Sequence, residues 1–501
     1  MKRSTLLIFF VLPLILFGQQ QRQKIDFETV AKEAAALIQK SEPRTASKLP
    51  KALKNLNYES YQNIRFRPSE ALWWNEPSPF RVEFFHLGYI FREPVKIFEI
   101  SDTHVQEIPF LKDAFDYEKS GYEPRYRSTP SGYAGIRVKY PLNRKDIYDE
   151  LIVFQGASYF RALGQGQAYG LSLHGLAMNT LGEKESFPHF TKLWLKKPES
   201  NDAPLQIYAL LEGEKVTGAY EFKIRPDGIT FIDVRARLYF RDGGAGEVGV
   251  APITSMFVFG ENTTRHFPNW RPEVHDSDGV MIHADREWTW HPLENIPGRY
   301  HKKFPVAKLR GFGLMQRDRA FESYKDLDAK YEKRPSAWVE PQGNWPTGSI
   351  VLHTLGTDNE AKDNVTLFWQ PDLEANASGP LDLQYTLSIR LKDPPHELAK
   401  VLETRIGQST LLPQANTIMV EFARPESIAV QEIAGLSLGF DSGGPEILGE
   451  PSIQYNSEQD RIRALIHLRN ESPIDRPIEL SAQLLRGGHQ VSEKWSYTWK
   501  P

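Results

Sequence analysis

Two short acidic stretches hold the side chains best suited to chemistry. The first, NWRPEVHDSDGVMIHADREWTW (269–290), sets His275, Asp276 and Asp278 against Gly279. The second, TDNEAKDNVTLFWQP (357–371), places Asp358, Glu360 and Asp363 in a polar loop that runs into the apolar stretch Val365 to Trp369. Carboxylates at a strand mouth beside aromatics suit glycoside hydrolysis. One acid protonates the leaving oxygen while the other drives water at the anomeric carbon. A metal loop is a competing use of the first stretch, but the spacing is poor. Two acids and an early glycine do not make an EF-hand loop, and His275 and His283 stand eight residues apart, not the four of a helical zinc pair. A third reading is a hairpin turn at Asp278-Gly279, where glycine tolerates a positive φ. Val280, Ile282, Trp288 and Trp290 then alternate as strands would. With 64 acidic residues in the chain, spacing alone does not choose among these.

A third stretch, GASYFRALGQGQAYGLSLHG (156–175), is rich in glycine and polar-tipped aromatics. It lacks the G-K-[ST] ending of a phosphate loop, and Ser158 is not framed as a nucleophile elbow. It reads as backbone pressed close to something, with Tyr159, Phe160, Arg161 and Tyr169 available to line a cleft. Close strand packing would leave the same pattern.

The elements that must position these residues are mostly strands. FRVEFFHLGYIF, LQIYALLEG, TGAYEFKIRP, GITFIDVRARLYFRD and SIVLHTLG alternate with period two between Gly, Pro and Asp breaks. Near the start, DFETVAKEAAALIQKS predicts a helix capped by Asp26, with Val30, Ala34, Leu37 and Ile38 on one face; a short helix is expected after Pro50. RAFESYKDLDAKYEKRPSAW reads equally as a helix or a charged loop. The paired prolines of KDPPHELAK (392–400) mark a boundary. Beyond it, NTIMVEFARP, RIRALIHLRN and IELSAQLLRG fit an immunoglobulin-like sandwich at 401–501.

Composition narrows the class. The chain has 501 residues, 40% hydrophobic and 25% charged, with a net charge of −3 and no cysteine. That is too long for one ordinary core, and it excludes disulfides and thiol chemistry. No basic stripe is present, so nucleic acid is not an expected partner. Lys2 and Arg3 precede an apolar run from Leu6 to Phe17, too short to span a bilayer, so residues 1–22 read as an export signal. An aromatic content of 12% suits a cleft that stacks on sugar rings.

In GASYFRALGQGQAYGLS, GEKESFPHFTKLWL, GVAPITSMFVFG, RPEVHDSDGVMIHADREWTW, GFGLMQRDRAFESYKDLDAKYEKRPSAWVEPQGNWPTGSI and DNVTLFWQPD, the chain resembles the periplasmic glucan biosynthesis proteins of the OpgG and OpgD type, the OpgG type above all. The matches run in order from about Asp26 to Trp499. The resemblance implies an all-β protein: a large galactose-mutarotase-like β-sandwich (23–391), a linker (392–400) and the immunoglobulin-like sandwich. It implies anomer-inverting action on β-1,2-glucan in the periplasm, with Asp363 as general acid, Asp276 as general base, and no cofactor or metal. Asp363 must then carry its proton at rest, in a partly dry aromatic setting or beside Asp358 and Glu360, while Asp276 is ionised. Direct inversion wants the carboxyls roughly 6.5–9.5 Å apart; the resemblance suggests a longer relay. Glu360, Tyr159, Arg161, Trp288, Trp338 and His275 are the expected substrate contacts. Two positions depart from the family pattern, His174 for its usual Arg and Asn179 for its usual Asp.

Two other functions stay open: a glucan-binding scaffold that guides nascent chains from the membrane glucan synthase, and a mutarotase-like epimerase. The latter would need a His and Glu pair that no motif nominates. Expected partners are β-1,2-glucan, the membrane synthase and a second copy of the chain.

Overall fold

The computed structural model describes residues 25–40, 49–101, 104–123, 132–241, 246–263, 268–372, 379–410, 412–469 and 477–499. The expected export signal lies outside these. Among the described residues no helix is long and apolar enough to cross a membrane.

Alternation in the sequence becomes alternation in burial. In the strand Ile229–Phe240, Ile232, Val234, Ala236 and Leu238 point inward while Asp233, Arg235 and Arg237 lie at the surface. It pairs with Val216–Asp227 on one side and Leu381–Arg390 on the other. These strands belong to a fifteen-stranded sheet that faces a ten-stranded one. The ten-stranded sheet carries Tyr159–Ala162, Ser172–His174, Val248–Ser255 and Val365–Pro371 as successive neighbours. Between the sheets, Phe154 and Phe160 meet Phe222 edge-on with ring centroids 5.2 and 5.5 Å apart. The protein is an all-β sandwich. The second and third stretches lie on or beside the ten-stranded sheet, while the first pairs His275 with Phe257 and then enters the fifteen-stranded sheet as Gly279–Ala284 and Glu287–Pro292.

The expected N-terminal helix spans Phe27–Ile38. The Asp26 carboxylate caps it by accepting from the Thr29 amide at 2.9 Å. Val30, Ala31 and Ala34 pack onto Trp194, Tyr208 and Leu210 of the large sheet. A second short helix, Lys51–Lys54, follows Pro50 as expected. The ambiguous charged stretch is mostly loop: a short helix Phe321–Tyr324, a 3-10 turn Tyr331–Lys333, then the strand Ser336–Pro341.

The hairpin expected at Asp278-Gly279 is not there. Gly279 opens the strand Gly279–Ala284, and the chain reverses at Asp285 and Arg286, with Asp285 at φ 52°. Glycine is needed at 279 for space: a Cβ there would come within 2.5 Å of the Trp290 ring. Asp278 instead accepts from the backbone N–H groups of Arg317 and Asp318.

The fifteen-stranded sheet does not stop at the edge of the large sandwich. Thr289 and Trp290 pair in parallel with Lys494 and Trp495, which carries the sheet on through Lys494–Trp499, Ile478–Arg486 and Leu436–Asp441. These three strands cover a five-stranded sheet that includes Val401–Gln408, Asn416–Ala423 and Arg461–Arg469, with Val420, Phe422, Leu480 and Trp495 between. Residues 391–400 connect the two parts without being a free linker. Asp393 accepts from Arg317 Nε at 2.9 Å, and His396 bonds Glu493 at 2.9 Å. Arg317 also donates to both Glu493 oxygens at 2.8 and 2.7 Å, with its guanidinium 3.6 Å over the Trp290 ring. Burial by itself would raise the Glu493 carboxyl, but Arg317 and His396 override it and hold it down to about 2. Removing one partner of such a buried pair strands the other charge. Glu493→Ala is therefore expected to lose about 3 kcal/mol of stability in a urea melt; an unchanged melt would contradict the role given to this seam.

Candidate functional site

Asp276 and Asp363 are brought together by one segment of backbone. The Asn364 side chain accepts from the Phe257 N–H at 2.8 Å and donates to the Phe257 and Leu355 carbonyls at 3.0 Å each. On the other side of the same residue, His275 pairs with Phe257, and the Asp276 N–H donates to the Met256 carbonyl at 2.8 Å. Each acid is thus one residue from a partner of Phe257. The strand leading there, Val248–Ser255, is bulged between Val250 and Ile253, with Ala251 at φ 48°. Such bulges re-aim side chains. Past the bulge, the Thr254 hydroxyl donates to Asp363 at 3.4 Å.

The two carboxyls sit in opposite environments. Asp363 is exposed, so the dry setting expected for it is not found in the free protein. Asp276 is the buried one, at 4% exposure. Burial pushes its carboxyl up, as does the nearby Asp363, while the Arg334 guanidinium and His275 pull it down, and the balance lies at about 6. Arg334 forms an ion pair with Asp276. It lies 4.2 Å over the Tyr331 ring, and the Tyr331 hydroxyl donates to Glu360 at 3.0 Å. Glu360 takes a second contact from Arg271 at 2.6 Å, and Arg271 reaches Asp326 at 3.0 Å. A single charge chain therefore ties the Asp276 strand, the loop 320–335 and the loop that carries Asp363.

The glycine-rich stretch packs on this chain. A Cβ on Gly170 would lie 3.0 Å from Arg334 Cβ, and the Ala168 N–H donates to the Lys333 carbonyl at 3.0 Å. What the backbone presses against is Arg334. From the same stretch, Tyr159 and Arg161 line a cavity of about 1390 Å³ with Tyr58, Phe85, Tyr169 and Phe187. That exceeds the usual small-molecule pocket and suits a chain of sugars. Its floor is ionic, with Lys139 2.9 Å and Arg137 3.3 Å from Glu83. Tyr159 joins the cavity to the acids: burial raises its hydroxyl, and the charges of Glu185 and Asp363 add to the shift.

His174 packs under Tyr159 with centroids 3.6 Å apart, and its Nε2 contacts Thr254 Oγ1 at 3.2 Å. Burial drives it down to about 3, so it is neutral. Where the resemblance leads to the expectation of a cation, this chain has an uncharged ring behind Thr254 and Asp363. Asn179 has φ 56°, a conformation asparagine adopts readily.

Three expected substrate contacts lie elsewhere. Trp338 is 1% exposed and stacks on Trp288 at 5.8 Å. Trp288 in turn stacks on His283 and meets His396, and both tryptophans pack in the core of the seam to the C-terminal sandwich. Their apolar rings were read as sugar platforms, but strand alternation turns them to that core. His275 is fully buried and bonded to Glu273 and Gln316, with no face for a ligand. Arg334, Tyr331, Arg271 and Asn364 were missed. They stand in loops or beside a proline, and only three-dimensional pairing gives them roles.

Fold and site together define an all-β protein with two unlike carboxyls close to each other and a large aromatic cavity linked to them through Tyr159. The chain matches the family model described as "Periplasmic glucan biosynthesis protein, MdoG" over residues 25–499, and it belongs to that family. Proteins called Glucans biosynthesis protein G are similar along almost its whole length. The one from Ralstonia nicotianae is 40% identical over 95% of each chain. That from Sodalis glossinidius is 37% identical over 99% of this chain and 95% of its own, and that from Pseudomonas putida 38% identical over 94% and 86%.

The position of Asp276 costs stability. Its folded value of about 6 lies above the ordinary 3.8, so its contribution is full below about pH 4 and is lost as pH rises through 6. Asp276→Asn cannot ionise. Relative to the wild type it should gain about 3 kcal/mol between pH 4 and pH 7 in urea melts. Parallel stability curves would contradict the assigned burial.

Proposed function

We propose that the protein acts in the periplasm on β-1,2-glucan, by anomer-inverting hydrolysis or transglycosylation, with Asp363 as general acid and Asp276 as general base. One observation carries this most strongly. A solvent-open carboxyl stands beside a buried, cation-paired one, and Tyr159 of the sugar-sized cavity feels the charge of the first, so one can meet the substrate while the other keeps its charge. Membership of the glucan biosynthesis family supports the substrate class.

The chemistry follows from the two environments. A glucan lying over Asp363 removes water from it and favours the neutral acid. Asp363 gives its proton to the glycosidic oxygen as the C1–O bond breaks. Water adds to C1 from the opposite face, and its proton passes to Asp276. Because Asp276 is closed off behind Arg334, that proton travels through an intervening hydroxyl or water, in keeping with a relay longer than the usual inverting separation. Tyr159, Arg161 and Glu360 are the proposed substrate contacts. The membrane synthase is the proposed source of nascent glucan, and a homodimer the proposed assembly.

Purified protein incubated with linear β-1,2-glucan should release shorter chains, or transfer products, of inverted anomeric form. Asp363→Asn and Asp276→Asn should each lower turnover by about 10²–10⁴-fold with glucan binding retained. Activity should fall on acidification through about pH 6, as Asp276 takes up a proton. Wild-type protein that binds glucan and never cleaves or transfers it would overturn this function and leave a binding scaffold.

A further inference from the structure

His275 is buried without an apolar or a catalytic reason. Its ring lies against Phe257 and meets Tyr324 edge-on, yet both ring nitrogens have polar partners. Nε2 is 2.9 Å from Glu273 Oε2; Nδ1 is 3.0 Å from Gln316 Oε1 and 3.3 Å from Asp278 Oδ1. The protonation of such a ring follows from which of its partners can only accept.

The Gln316 amide is not free to turn. Its nitrogen is 3.1 Å from the His275 carbonyl, 3.2 Å from the Tyr331 carbonyl and 2.9 Å from the Tyr324 hydroxyl. The Tyr324 hydroxyl spends its own proton on the Asp318 carbonyl at 3.2 Å, so it accepts from Gln316. Three acceptors around the nitrogen fix the amide oxygen toward His275 Nδ1. That oxygen is an acceptor, and so are Glu273 and Asp278 in their ionised form. A neutral ring would set a lone pair against one of them, at the cost of a buried polar group left unpaired. Both nitrogens therefore carry protons, and the imidazole has no lone pair to offer a metal ion.

We infer that His275 is an imidazolium at neutral pH and a positioning residue for the proposed reaction, one that helps Arg334 hold Asp276, the next residue in the chain, in its ionised form. This rests on Asp276 being the general base. The groups facing Asp276 are Arg334, Asp363 and His275; those facing His275 are Glu273, Asp278, Glu261 and Tyr324. Two cations thus act on the base from different sides. Arg334 comes from a loop at the site, and His275 from the core, where no substrate can displace it. Burial would strip the charge from His275, but Asp278, Glu273 and Glu261 keep it, with its value at about 9. Asp278 is in turn fixed by the backbone amides of Arg317 and Asp318, which links the support to the seam with the C-terminal sandwich.

Nitrogen-15 NMR of histidine-labelled wild type tests the charge directly, with the His275 signals assigned by through-space contacts of its ring protons to Phe257 and Tyr324. At pH 7.5 both ring nitrogens are expected to be protonated. A single-tautomer neutral ring would overturn the inference, and this arm needs no variant. In folded His275→Gln, carbon-13 titration of the Asp276 carboxyl should show a midpoint shifted upward from that of the wild type, since the His275 charge favours the ionised carboxyl. The acidic limb of turnover should move with it while KM stays the same. An unmoved Asp276 midpoint would also overturn the inference. Both titrations use the free protein, so a wild type that fails to process glucan would sink the proposed function without obscuring either result.

Discussion

The site is organised around the cost of burying the Asp276 carboxylate. A lone ionised carboxyl in that position would take up a proton and lose its charge. Arg334 prevents this, and the requirement for Arg334 propagates outward. The loop 320–335 has to bring a guanidinium to one point, so it is held through Tyr331, Glu360, Arg271 and Asp326. The same requirement explains why Gly170 packs where a side chain would push Arg334 away.

The fold meets a second demand, which is to hold two unlike carboxyls without letting them share one environment. Phe257 serves as a common backbone anchor. Asn364 grips it from the loop that carries Asp363, and His275 pairs with it from the short strand that ends just before Asp276. The acids thus share a support and differ in solvent access. The C-terminal sandwich contributes through the continuous sheet and the Arg317–Glu493 pair, since the Arg317 amide also caps Asp278.

Much of this was legible in the sequence where the signal is local. Strand alternation such as that of Ile229–Phe240 reflects burial residue by residue, and the Asp26 cap is decided within one turn. The two acidic stretches were picked out because carboxylates beside aromatics suit glycoside hydrolysis, although among 64 acidic residues their spacing alone did not single them out. What was misread depended on contacts far along the chain. Asp278-Gly279 has the composition of a hairpin, but Trp290 and the amides of Arg317 and Asp318 determine what those residues do. Trp288 and Trp338 have the side chains of a sugar platform, and only the sheet's continuation toward the C-terminal sandwich shows that they face a core. Arg334, before a proline in a charged loop, carries no local mark at all. The expected dry surroundings were assigned to Asp363, when Asp276 is the acid that has them.

The central claim is that Asp363 and Asp276 act from opposite sides of one glycosidic bond. A crystal structure of Asp363→Asn with a bound β-1,2-glucan oligosaccharide tests it most directly. The predicted result is a glycosidic oxygen within hydrogen-bond distance of residue 363, with a water or sugar hydroxyl leading from the anomeric carbon to Asp276. A glucan seated along the Tyr159 and Arg161 wall, with residue 363 turned to solvent and no path to Asp276, would contradict it.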